Sequence, residues 1–147
     1  VGRTSVGDDT GAVLHASCVA FDGAGVLILG PSGAGKSTLA LQLMALGAAL
    51  VADDRTALAV DAGRVRASAP PGLPACIEAR GIGLLAAPLA GPVPLALVVD
   101  LGRHEAERLP PRRTWHWGQV AVDCIHGPAT GYFPAAIRQY VIGGRVA

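Results

Sequence analysis

The chain has 147 residues, a net charge of +1, 51% hydrophobic residues and 4% aromatic ones. That length suits one domain with an aliphatic core, and so small a net charge argues against nucleic acid or an anionic membrane surface as a partner. No apolar run approaches the roughly 20 residues that cross a bilayer, and no basic-then-apolar leader precedes the fold, so the expected location is the cytoplasm, with no membrane partner. Cys18, Cys76 and Cys124 are odd in number and lack a C-x-x-C pair, which leaves them as small core residues rather than a disulfide or zinc framework.

Taken in order, residues 1–11 are polar and glycine-bearing and read as a flexible lead-in to a domain over 12–147. Residues 12–21 alternate as one strand, Asp22 to Gly25 supplies a turn, and Val26 to Leu29 returns as a short buried strand. His15 falls on the first of these strands, where a structural imidazole bonded to a carbonyl and a functional one are equally open.

The stretch that organises the chain follows: Gly30, Pro31, Ser32, Gly33, Ala34, Gly35, Lys36, Ser37 and Thr38, a G-x-x-x-x-G-K-[ST] pattern between an apolar strand and a helical repeat. Small residues let backbone N–H groups turn onto phosphate oxygens, and the helix N-terminus adds its positive dipole end. Lys36 would reach the outer phosphates and Ser37 would ligate Mg²⁺. Composition sharpens this: Lys36 is the only lysine, every other cation being arginine, and the two side chains are not interchangeable at a phosphate loop.

The helix should end near Leu46, with Gly47 as a left-handed stop. Ala48 to Ala52 then forms a short strand delivering Asp53 and Asp54, carboxylates placed to serve Mg²⁺ and a nucleophile. A hairpin over 56–68 comes next, then a proline-rich loop over 69–74. In 75–85, Glu78 lies in an apolar context and needs a metal or an arginine such as Arg80 as partner. Leu95 to Leu101 reads as a buried strand ending near Asp100, and 103–113 as an exposed connection. Trp115 and Trp117 point the same way, in a packing or oligomer-contact role, ahead of a strand over 119–125; 127–131 breaks the chain and 133–141 is a terminal helix.

With the phosphate loop, the Val-Ala-Asp-Asp strand end, the upstream His-Ala-Ser and the Glu-Ala-Arg-Gly-Ile-Gly stretch in this order, the chain resembles the catalytic domain of HPr kinase/phosphorylase, most of all its short alphaproteobacterial form. The resemblance implies an α/β, P-loop-containing fold like that of phosphoenolpyruvate carboxykinase, with a mixed sheet and few helices. It implies ATP and Mg²⁺ as cofactors, with pyrophosphate an alternative donor, an HPr-type phosphocarrier of the phosphotransferase system as partner, transfer to its serine, phosphorolytic reversal, and a hexameric assembly in which the Trp-bearing segment could take part. It makes Asp53 the proton acceptor, sets His15 beside Asp53 to tune it, gives Asp54 and Glu78 to the metal with Ser37, and has Arg80 orient that side of the site.

Two positions depart from the family pattern. The glycine- and arginine-bearing loop before the last helix has no clear counterpart in 115–131, leaving Arg112 and Arg113 as candidates, and the last strand reads Val122-Asp123-Cys124 where short forms often carry arginine. Two rival functions share the same loop: a nucleotide-binding regulator of the carrier that turns over little, and a small-molecule kinase or NTPase.

Overall fold

The computed structural model describes residues 11–127 and 131–147; all but the last residue of the lead-in expected over 1–11, and the middle of the break expected over 127–131, lie outside the described residues. Eleven strands and two helices follow in the order β1 (Ala12–Leu14), β2 (Ser17–Phe21), β3 (Ala24–Leu29), α1 (Lys36–Ala45), β4 (Ala49–Ala52), β5 (Thr56–Asp61), β6 (Arg64–Ser68), β7 (Cys76–Ala79), β8 (Gly83–Ala86), β9 (Val93–His104), β10 (Arg113–Trp117), β11 (Val120–Gly127) and α2 (Phe133–Gly143). A mixed sheet of nine strands runs β1-β5-β6-β9-β3-β2-β4, and β11, paired with β10, joins it along β9; β7 and β8 form a separate hairpin.

β3, β9 and β11 are parallel, and the remaining ladders are antiparallel. Side chains alternate across the central strands, so both faces are buried. Val19, Val26, Ile28, Leu97 and Val99 pack with Leu39 and Leu43 of α1 and with Phe133 and Ile137 of α2. Cys18, Ala20, Leu27 and Val98 face the other way, onto Leu58, Val65, Trp115, Trp117 and Val122. Among the described residues this second face packs onto β5, β6, β10 and β11 and not onto a helix.

Most expected elements are present, with three differences that have physical causes. The first strand is two: β1 pairs with β5, whereas β2 pairs with β3 and β4, so the chain changes partners at His15 and Ala16. β9 extends past Asp100 to His104 because β11 runs beside it that far, taking the first residues of the expected connection into a strand. Residues 113–117 form a strand opposite β11; Trp115 and Trp117 stack at 5.8 Å within the core, the packing role expected of them. Cys18 and Cys124 are buried, Cys76 is half-buried, and all three are free thiols.

Candidate nucleotide and phosphoryl-transfer site

β3 ends at Leu29, opposite Asp100 of the parallel β9, and the glycine-rich loop leaves it at this carboxyl edge, where open α/β sheets receive ligands. Two glycines are required by geometry. A Cβ on Gly30 would stand 3.0 Å from Ala34 Cβ and 3.2 Å from Leu101 Cβ. Gly35 caps α1 with φ of 98°, a left-handed conformation that favours glycine. The first turn of α1 has no acidic residue and no side-chain cap, so its orphan N–H groups and dipole remain available to an anion. At the other end Gly47, φ 109°, donates to the Met44 carbonyl at 3.0 Å, the stop expected from sequence.

Lys36 is buried, and its ammonium donates to the carbonyls of Gly30 at 2.8 Å and Pro31 at 3.2 Å. The loop thus closes around its own cation. A cleft of about 180 Å³ lies outside it, lined by Ser32, Gly33, Lys36, Ser37, Thr38 and Gly35 from the loop side and by Asp54, Glu78 and Arg80 opposite.

The aspartate pair is placed by a parting of two antiparallel chains. Leu14 faces Thr56 and Cys18 faces Ala52, and residues 15–17 and 53–55 lie between these pairs, where side chains are free to meet. The Thr56 hydroxyl donates to the Ala16 carbonyl at 2.8 Å, pinning the junction. Asp53 Oδ1 accepts from Ser37 Oγ at 2.6 Å and Ser17 Oγ at 2.8 Å, and Oδ2 accepts from the Glu78 N–H at 3.1 Å. Asp54 turns the other way, its backbone at φ 70°, an uncommon conformation for a residue other than glycine and one that clusters at functional sites. Its N–H donates to Ser17 Oγ at 3.1 Å, and its carboxylate faces His15 Nε2 at 3.5 Å, both side chains being 60% exposed.

This geometry corrects one expectation. His15 stands beside Asp54, not Asp53, because the partner switch at residue 15 carries the imidazole out of strand alternation toward the exposed carboxylate. Glu78 is exposed on β7, so the expected desolvation cost does not arise; Glu78 and Arg80 project to the same cleft without an ion pair between them among the described residues. Arg112 and Arg113 do not line the cleft at all. Ser17 was missed: in sequence it is one more alternating strand residue, and only pairing across 36 positions reveals its bonds to both aspartates.

Among the described residues no group of three or more His, Cys, Asp or Glu side chains comes together to cage a metal. The donors present are a hydroxyl on a carboxylate, Ser37 on Asp53, with Glu78 close by. That set fits an ion such as Mg²⁺, which keeps waters and shares phosphate oxygens rather than taking an all-protein cage.

A mixed α/β domain with a glycine-rich loop at a parallel edge, opposed by an aspartate pair, is the class of protein that fold and site define. The chain belongs to the family of the HPr Serine kinase C-terminal domain, which matches residues 10–89. It is 48% identical over 64 residues to HPr kinase/phosphorylase of Bordetella petrii, covering 43% of this chain, and 44% identical over 73 residues to that of Caldanaerobacter subterraneus subsp. tengcongensis, covering 49%. The matched stretch spans 21% and 24% of those relatives' own length. The structure of the Hpr(Ser) kinase/phosphatase from Coxiella burnetii superposes with a TM-score of 0.75 at 28% identity, over 88% of this chain and 93% of that one. Among the described residues no helix is long and apolar enough to cross a membrane.

Proposed function

We propose that this chain is a Mg²⁺-dependent serine kinase that transfers the γ-phosphoryl group of ATP to an HPr-type phosphocarrier and reverses the transfer by phosphorolysis. The observation that carries the proposal is the division of labour between the two aspartates: one locked to the phosphate-loop serine, the other exposed beside a histidine at the cleft. Residues 12–147 form the catalytic domain in this reading, of the phosphoenolpyruvate carboxykinase-like type, acting in the cytoplasm as a homo-oligomer.

Residues 30–38 hold the phosphates, with Lys36 turning from the loop carbonyls to the outer oxygens. Ser37, Asp53 and Glu78 would hold Mg²⁺, directly or through water, and the ion would supply neutralisation of charge on the phosphoryl oxygens. Asp54 takes the proton from the attacking serine hydroxyl, and His15 orients and tunes that carboxylate. The proton acceptor is thereby Asp54, in place of the Asp53 expected from sequence, because Asp53 already accepts three hydrogen bonds. In the reverse direction orthophosphate attacks the phosphoserine phosphorus, pyrophosphate forms, and protonated Asp54 returns its proton to the departing serine oxygen. Arg80 faces the transferred group across the cleft.

One observation favours a second reading: Arg80 is the only arginine lining the cleft among the described residues. A site short of cations binds nucleotide yet transfers slowly, the behaviour of a nucleotide-gated regulator. ATP consumption measured with and without the carrier separates the readings. Consumption that requires the carrier supports the kinase; none in either case leaves the regulator, and consumption without it points to an NTPase or a small-molecule acceptor.

A further inference from the structure

Arg112 and Arg113, which miss the nucleotide cleft, meet Arg103 elsewhere. A second cleft, about 400 Å³, is walled by Arg103, Arg112, Arg113, His116 and His126, with Asp100 the carboxylate in its lining. It lies at the same carboxyl edge as the phosphate loop: Asp100 is opposite Leu29 on one side and His126 on the other, and β10 brings Arg113 opposite Cys124. Between Asp100 and Arg103, Gly102 lies against the phosphate loop: a Cβ there would be in ordinary contact with Pro31 Cδ, at 3.4 Å. The two clefts are neighbours across the end of β9.

The arginines here are held in place without being fully neutralised. Glu105 takes two bonds from Arg113, at 2.9 and 3.1 Å, and Asp100 takes only Nε of Arg103, at 3.3 Å. Arg112 donates one Nη to the Arg145 carbonyl at 3.0 Å, and no carboxylate among the described residues pairs with it. Burial first, and then the Arg113 charge, push His126 below its usual value, so at neutral pH its imidazole serves as a neutral N–H donor. Thr114 adds a hydroxyl to the wall.

We infer that this cleft is a second oxyanion site, separate from the nucleotide loop, which takes inorganic phosphate or the phosphate of a small phosphomonoester between Arg103, Arg112 and the two histidines. Guanidinium forks suit phosphate geometry and keep their charge at any physiological pH. The volume exceeds what one phosphate needs and leaves room for a small organic remainder.

The test follows the His116 and His126 imidazole resonances of the whole chain at constant ionic strength, as inorganic phosphate or glycerol 3-phosphate is added to the parent and to Lys36→Ala, Arg103→Gln and Arg112→Gln variants. The expected result is a saturable shift of His126 with a rise in its pKa, kept in Lys36→Ala and weakened about 10-fold in affinity in each folded arginine variant, since hydrogen bonds to charged groups are worth that much. The tighter of the two anions names the source. Shifts no larger than chloride produces, or shifts lost in Lys36→Ala and unchanged in both arginine variants, overturn the inference.

Discussion

Ser37 Oγ lies 2.6 Å from Asp53 Oδ1, a bond that ties the first turn of α1 to the end of β4. The same carboxylate also accepts from Ser17 and from the Glu78 N–H, so it joins four elements of the site. An amide at 53 keeps one acceptor and turns an N–H₂ group on a donor. Asp53→Asn should therefore cost about 1–3 kcal/mol of stability and weaken Mg²⁺-nucleotide binding. Asp54→Asn should leave nucleotide affinity near the parent's and abolish transfer. Thermal melting and calorimetric titration of both variants check the contrast.

Lys36 has two carbonyl partners and almost no exposure. Lys36→Met should retain the fold and lose about 100-fold or more in nucleotide affinity, as a lost charged contact to phosphate implies. Lys36→Arg should not restore it, because the guanidinium is too broad for the space between the loop and its carbonyls. A fluorescent-nucleotide titration reads both.

Gly25 opens β3 against β9, where an added Cβ would sit 2.9 Å from the Pro94 carbonyl oxygen and 2.9 Å from Val93 Cγ2. Since a backbone atom cannot step aside, Gly25→Ala should destabilise the chain by about 1–3 kcal/mol, seen as a lower urea midpoint with the same slope.

Arg113 and Glu105 give stability a pH dependence of fixed sign. The Arg113 hydrogen bonds hold the Glu105 carboxyl below its usual 4.5, so that contribution is present above 4.5 and is lost as pH falls through the lowered folded value. His126 is also held below its usual 6.5, by burial and then by Arg113, so removing Arg113 relieves acid-side destabilisation below 6.5. Both effects act in one direction. The parent should melt higher than Arg113→Gln at neutral pH, and the gap should close as pH falls below 6.5 and on through 4.5.

What could be read from the sequence was local. The phosphate loop, the helix stop at Gly47 and the hairpin over residues 56–68 are each written in neighbouring residues, where glycine, apolar runs and spacing act directly. The aspartate pair was visible, but the different partners of its two carboxylates were not: they depend on where β1 and β2 exchange partners, a fact about pairing with β4 and β5 rather than about residues 12–21 themselves. Ser17 was hidden for the same reason. Arg112 and Arg113 were visible as cations, but their turn away from the nucleotide follows from β10 pairing with β11.

The most direct measurement is the intact mass of an HPr-type carrier after incubation with Mg²⁺-ATP and this chain, its Asp54→Asn variant or its Lys36→Met variant. The account predicts one phosphoryl group on a carrier serine with the parent and none with either variant. An unmodified carrier, despite nucleotide binding that depends on Lys36, or full transfer by Asp54→Asn, would contradict it.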